Sequence, residues 1–258
     1  MCELFGISSD RPLNLSTLLD RFGQRGGAAA DNPDGWGFAY REDDAWRVHK
    51  APEAAAGSAE FARLAQTATS DLLIAHVRKA NPVTAQVHAN THPFVRSCCG
   101  REWVFAHNGK LSEVVQPDGC CHPQLSQPLG ETDSEHAFCF LLDEIATVFA
   151  DDAVHNKSFW LQTVVRLSDS IAGQGRFNFL MSDGIHLLAY GHDRLYHLRR
   201  RDKGITTIQI ASEPLTDDGG WEAFKPGELL VARHGEVVTI MQSRCAERTG
   251  VVSQCIRG

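Results

Sequence analysis

Apolar and polar positions along the chain change period from one stretch to the next. The run from Glu3 to Ser8 reads as a first strand. Leu15 to Gln24 has helical spacing and is ended by Gly26-Gly27. Gly35 to Tyr40 and Trp46 to His49 read as a hairpin, with Glu42-Asp43-Asp44 as its turn. A short helix is predicted over Ala59 to Ala68, then strands over Leu72 to Arg78 and Trp103 to His107.

The middle of the chain is helical. Thr132-Asp133-Ser134-Glu135 places a hydroxyl three residues before a Glu, the capping-box pattern that opens a helix. Phe138, Leu141, Leu142, Ile145, Val148 and Phe149 then recur at helical spacing. A second helix is predicted from Lys157 to Ala172, with Trp160, Val164, Leu167 and Ile171 on one face.

The last third turns to strands and tight turns. Phe177 to Met181 and Ile185 to Tyr190 flank Ser182-Asp183-Gly184, a hairpin signal. Leu195 to Leu198 and Thr206 to Ala211 follow. Leu229 to Ala232 and Glu236 to Met241 lie around His234-Gly235. Alternating strand–helix–strand units are missing, which argues against a doubly wound parallel sheet. The prediction is an α+β fold of antiparallel sheets packed with helices. No repeat, low-complexity tract or long linker appears, so residues 1–258 are expected to form one domain.

Composition refines this picture. Asp and Glu total 32 against 25 Lys and Arg, a net charge of -7, which argues against a nucleic-acid partner. Arg199-Arg200-Arg201 is the one dense basic cluster, and the pattern places it in a solvated turn. The opening Met1-Cys2-Glu3-Leu4-Phe5-Gly6 has no basic leader, and no window approaches about 18 uninterrupted apolar residues. A soluble, cytoplasmic protein with no membrane partner is expected. Among the eight cysteines, Cys98-Cys99 and Cys120-Cys121 are adjacent pairs, the second followed by His122. Neighbouring cysteines do not easily face one metal, and no Cys-x-x-Cys spacing occurs. Reduced thiols are expected, with no metal site. Cys139, inside an apolar helical run, reads as core.

Cys2 is the first candidate for chemistry. Removal of Met1 leaves a free α-amine on the residue that carries the thiol. An α-amine titrates at about 7.7–8.0 and a thiol at about 8.5, so the amine can serve as general base for its own side chain. The plainer alternative is a small buried residue opening the first strand.

The remaining motifs follow Cys2 in a fixed order. They are Arg78 in Ala75-His76-Val77-Arg78, Asn90-Thr91-His92-Pro93-Phe94, Ala106-His107-Asn108-Gly109 and Thr132-Asp133-Ser134-Glu135. Together with Arg25-Gly26-Gly27 and Asp34-Gly35-Trp36-Gly37 they resemble a class II glutamine amidotransferase domain of the N-terminal-nucleophile hydrolase superfamily. Ala211-Ser212-Glu213-Pro214-Leu215 and Pro226-Gly227-Glu228 resemble the small stand-alone YafJ-like branch. The resemblance covers essentially the whole chain. It implies a four-layer αββα sandwich of two antiparallel sheets between helices, and a reaction with no metal or organic cofactor.

The resemblance also implies roles. Cys2 is the nucleophile, and Asn108 and Gly109 are the oxyanion-hole pair; on their own these two read as an Asn-Gly turn. Arg78 binds the α-carboxylate of glutamine, where the plainer reading is a surface Arg at a strand end. Asp133 reads the α-ammonium, where the plainer reading is an acid in the first turn of a helix. Arg25 and His92 match positions that shape the site, Arg25 by ordering the N-terminus.

Two departures stand out. Synthase-linked relatives follow the glutamine-binding Arg with Trp-Ala-Thr-His, whereas Arg78 is followed by Lys79-Ala80-Asn81-Pro82. The resemblance fills the chain, so no domain that consumes ammonia is expected within it. The expectation is therefore either an ammonia-accepting enzyme in trans, or hydrolysis of another γ-glutamyl amide.

Overall fold

The computed structural model describes residues 1–80, 87–112, 127–150, 159–217 and 219–243. Its strands, numbered in chain order, form two sheets. The first runs β11 (Glu222–Ala223), β9 (Tyr196–Asp202), β10 (Ile205–Ala211), β1 (Glu3–Asn14), β4 (Thr69–Val77), β2 (Trp36–Glu42) and β3 (Ala45–Ala51). The second runs β13 (Glu236–Gln242), β12 (Glu228–Arg233), β8 (Leu187–Gly191), β7 (Gly175–Ser182), β6 (Arg101–Leu111) and β5 (Phe94–Cys98). Pairing among the described residues is antiparallel throughout. Among the described residues four α-helices complete it: α1 (Ser16–Gln24), α2 (Ala59–Thr67), α3 (Asp133–Ala150) and α4 (Phe159–Ala172).

Strand alternation sorts the apolar side chains into three layers of core. Leu4, Ile74, Ala106, Leu180, Ile208 and Ile210 pack between the sheets. Phe5, Phe38, Leu73 and Ala75 point the other way, onto Leu19, Phe22 and Phe61 of α1 and α2. Trp103, Phe105, Phe177 and Phe179 meet Phe138, Leu141, Leu142, Trp160 and Val164 of α3 and α4. The order helix, sheet, sheet, helix is the four-layer αββα sandwich that the resemblance implies. No helix among the described residues is long and apolar enough to cross a membrane.

Some elements differ from the sequence pattern. β1 continues beyond Ser8 to Asn14, with its register to β4 broken between Ser8 and Leu13. Asp10-Arg11-Pro12 occupies that irregular stretch, where Pro12 has no ladder hydrogen bond to lose. Arg199, Arg200 and Arg201 lie in β9, not in a turn; the turn follows at Lys203-Gly204, both with positive φ. β11 pairs with β9 only at Tyr196 and His197, so the three arginines stand on an open edge. Charge there discourages pairing with another chain.

The capping box is half made. The Thr132 hydroxyl accepts the Glu135 N–H at 3.2 Å, but the Glu135 carboxylate accepts from Gly130 N–H and pairs with Arg96. Phe149 is 40% exposed, so it lies off the buried face of α3. β5, only five residues long, carried no alternation to reveal it. Cys139 is buried as expected, whereas Cys120, Cys121, His122, Asn81 and Pro82 lie outside the described residues.

Candidate active site

Cys2 lies just before β1, a central strand of the first sheet. Glu3, the next residue, points to the helical side and takes Arg25 Nε and Nη2 at 2.7 and 2.9 Å. Arg25 caps the end of α1. Alternation then turns Cys2 and Leu4 towards the second sheet. Cys2 Sγ lies 3.2 Å from both polar atoms of the Lys79 backbone, accepting from the N–H and donating to the carbonyl. Burial pushes the thiol above its ordinary range. The Lys79 N–H, the positive chain terminus and the Arg78 guanidinium pull it down without reversing the shift.

Arg78 follows directly on β4 and is only 4% exposed, so it is not the surface Arg of the plainer reading. Its N–H donates to Gly35 O at 2.8 Å and its Nη1 to Asp34 O at 3.4 Å. Asp34 returns a backbone N–H to Arg78 O at 3.0 Å, and its Oδ2 accepts the Ala80 N–H at 2.8 Å. These bonds knit the ends of β2 and β4 around the nucleophile.

Asn108 and Gly109 are strand residues rather than a turn, facing Asn178 and Phe177 of β7. The ladder continues through them because Gly109 allows it. A Cβ there would stand 1.8 Å from the Arg176 carbonyl oxygen, so close backbone approach requires the glycine. Asn108 faces the first sheet, as Ala106 does, and its Nδ2 donates to Ser212 Oγ at 3.0 Å. The same hydroxyl accepts the Leu4 N–H at 3.0 Å, and Ser212 N–H donates to Leu4 O at 3.0 Å. Asn108 Oδ1 is buried with no hydrogen-bond partner among the described residues.

Asp133 begins α3. Its Oδ2 accepts the Leu111 N–H at 2.9 Å and its Oδ1 the Ser134 N–H at 2.8 Å, which ties α3 to the end of β6 two residues past Gly109. Ser134 Oγ meets His107 Nδ1 at 2.8 Å, and His107 Nε2 lies 3.1 Å from Arg176 O.

His92 packs between His76 and Phe94, with ring centroids 4.1 and 4.4 Å away. Burial holds His92 well below its ordinary pKa and lowers His76 to about 3, so both rings are neutral. Lys50 Nζ donates to Thr91 O at 2.7 Å and Pro93 O at 3.3 Å, and its own burial lowers it to about 8. The His92 carbonyl also presses onto Gly37, 2.2 Å from where a Cβ would stand. Residues 91–93 are thereby pinned to the first sheet.

The fold thus brings Cys2, Arg78, Arg25, Asn108 and Gly109 to one end of the sandwich. Asp133 joins through Leu111, and His92 packs against His76 on β4. Glu3, Asp34 and Ser212 hold these groups in place and had no role in the sequence reading. Asp34 and Ser212 lay inside quoted motifs, but single residues in a motif do not disclose their partners. An open cleft of about 550 Å³ lies at the far end of β6, beside Arg41, Cys98, Cys99, Arg101 and Asp183, and contains none of the predicted site residues. Among the described residues no cluster of three or more His, Cys, Asp or Glu is placed to hold a metal ion. A thiol, a side-chain amide and a guanidinium at one end of the sandwich suit attack on an amide whose chain ends in a carboxylate.

Comparison with known proteins shows what the chain is similar to. Residues 1–204 and 201–254 match the family model described as class II glutamine amidotransferases. YafJ of Escherichia coli (strain K12), which bears a provisional glutamine amidotransferase name, is 32% identical over 261 residues, spanning 92% of this chain and 100% of YafJ. The γ-glutamyl-hercynylcysteine sulfoxide hydrolase of Mycobacterium tuberculosis (strain ATCC 25618 / H37Rv) is 29% identical over 213 residues, 81% of this chain and 80% of that one. A crystal structure of a predicted glutamine amidotransferase from Pseudomonas aeruginosa PA01 aligns with a TM-score of 0.68 at 30% identity, covering 92% of this chain and 100% of that one.

Proposed function

The chain belongs to the class II glutamine amidotransferase family, and on that premise we propose that it is a cysteine-dependent amidohydrolase that opens the side-chain amide of glutamine. Met1 is removed first, freeing the Cys2 amine. The amine takes the thiol proton, and the thiolate attacks the γ-carbonyl carbon. A base is needed because burial disfavours the thiolate. The oxyanion lies between the Asn108 side-chain amide and the Gly109 N–H. Collapse expels the amide nitrogen as ammonia, which leaves with the proton held by the Cys2 amine. Water, deprotonated by the same amine, then hydrolyses the γ-glutamyl thioester to glutamate and restores the thiol. The ammonia passes to an acceptor enzyme in trans.

Arg78 offers a guanidinium fork to the substrate α-carboxylate, and Asp133 a carboxylate to the α-ammonium. Arg25 holds Glu3 and so steadies the residue beside the nucleophile. His92 and His76 wall the site. Asn108 as an oxyanion donor suits its surroundings once the two amide ends are exchanged, a half-turn of the side chain. The Ser212 hydroxyl then donates to Oδ1, the buried oxygen gains its partner, and Nδ2 takes the place Oδ1 held, free to donate to the oxyanion.

The observation that carries this reading is the Asn108–Ser212–Leu4 chain of hydrogen bonds, which joins the second sheet to the residues beside Cys2. A second reading, hydrolysis of a larger γ-glutamyl amide, is favoured by the Lys79-Ala80 segment after Arg78 and by the similarity to the mycobacterial hydrolase. Ammonia release from glutamine, measured beside a panel of γ-glutamyl amides, separates the two. Cys2→Ala should abolish turnover of every substrate; unchanged turnover in that variant would overturn both.

A further inference from the structure

Met1 marks the space beside the nucleophile. In the route above, the Cys2 amine hands its proton to the departing nitrogen, which must stand within about 3 Å of it. Met1 is bonded to that same amine nitrogen. Its removal therefore opens the volume next to the leaving group.

Two guanidinium groups converge on this volume. Arg176 Nη1 lies 2.9 Å from Met1 Sδ and Arg194 Nη1 lies 3.7 Å from it. Neither Nη1 is the atom that meets the nearby carboxylate: Arg176 reaches Asp193 through Nε, and Arg194 reaches Glu213 through Nη2. Both side chains are partly exposed, at 41% and 44%, so a ligand can reach them.

The pair is built into the frame that holds Asn108. Arg176 lies on β7, on the same face as Asn178 and Leu180. Asn178 Oδ1 accepts the N–H groups of His192 and Asp193 at 2.8 and 3.0 Å, and its Nδ2 donates to Asp193 Oδ1 at 2.6 Å. This sets the loop that bears Arg194. Asn178 Nδ2 also reaches Asn108 O at 3.2 Å, and Glu213 directly follows Ser212.

A thioether is a weak acceptor, whereas a carboxylate takes guanidinium N–H groups strongly. We propose that Arg176 and Arg194 form a subsite for a carboxylate carried on the leaving nitrogen. The preferred substrate is then a γ-glutamyl amide of an amino acid, since glutamine has nothing to place there. This rests on the second reading above, hydrolysis of a larger γ-glutamyl amide, and deepens it.

The test compares kcat/KM of the mature protein for γ-glutamylglycine and for γ-glutamylethylamide, which matches it in length but lacks the carboxylate. The wild type should favour the first by about tenfold or more, the worth of one hydrogen bond to a charged group. In Arg176→Gln and Arg194→Gln that preference should fall towards one. Both substrates are read on the same sample, so any loss of folded enzyme cancels in the ratio. A wild-type ratio near one, or a ratio unchanged in both variants, overturns the subsite and leaves the parent reading standing. Failure of the mature protein to hydrolyse any γ-glutamyl amide overturns both.

Discussion

Ser212→Ala is the most revealing perturbation of the site. The Ser212 hydroxyl serves Leu4 N–H and the Asn108 amide, each at 3.0 Å. Leu4, Asn108 and Ser212 are 0%, 2% and 1% exposed, so water does not replace it cheaply. Each unsatisfied buried group costs about 1–3 kcal/mol. The β1–β10 ladder from Phe5 and Ala211 onward survives, which places the total loss of stability at about 3 kcal/mol. The rate should fall as well. Losing an oxyanion donor outright costs about 2.7–4 kcal/mol, and a donor still present but unanchored should forfeit about 1–2 kcal/mol of it, roughly 5- to 30-fold in kcat. KM should change little, because the oxyanion forms only after attack. The assays are guanidinium unfolding and ammonia release at saturating glutamine, repeated on an Asn108→Ala background. There Ser212→Ala should have no further effect on kcat, since the group it positions is gone. A variant that loses stability yet keeps kcat within about twofold of wild type would show that Ser212 does not position the oxyanion donor.

Other predictions follow from burial and close approach. His76 is neutral in the fold, with its pKa near 3, while the unfolded chain titrates near 6.5. Its contribution is therefore full above pH 6.5 and is lost as pH falls from there towards 3, about 2 kcal/mol by pH 5. Urea unfolding at pH 7 and pH 5 should show a loss smaller by about that amount in His76→Gln; equal losses would contradict it. Gly109→Ala drives a Cβ to 1.8 Å from the Arg176 carbonyl and should part β6 from β7. A loss of about 3 kcal/mol or more in melting experiments is expected, and a near-neutral effect would be inconsistent with the β6–β7 register. Arg25→Met leaves the Glu3 carboxylate, with a side chain 7% exposed, without its bidentate partner. It should cost about 3 kcal/mol, and adding Glu3→Gln should recover part of that; no recovery would show that the pair is not what Arg25 supplies.

Much of the fold was legible because burial writes periodicity into the chain. The long helices and the β7–β8 and β12–β13 hairpins carried their own spacing and turn residues. The spacing predicts only the first part of β9, because three arginines suit a turn as well as an open sheet edge, and the short β11 that leaves this edge open has no signal of its own. Taken alone, Asn108-Gly109 suggests a turn for a related reason, although both residues lie in β6. The pair favours tight turns locally, but the glycine answers to a backbone contact with Arg176, 67 residues along the chain. Local sequence cannot express such a contact. The motifs marked Cys2, Arg78, Asn108 and Asp133 as candidates, whereas Ser212 and Arg176 became visible only when two sheets were laid face to face.

In the proposed mechanism a free amine on Cys2 activates its own thiol. Intact-mass and peptide spectra after exposure to a diazo-ketone glutamine analogue test this most directly. A single adduct is expected, on Cys2, in chains that have lost Met1, and none in chains that retain it or carry Cys2→Ala. Equal labelling of the Met1-retaining chain, or an adduct on any other residue, would contradict it.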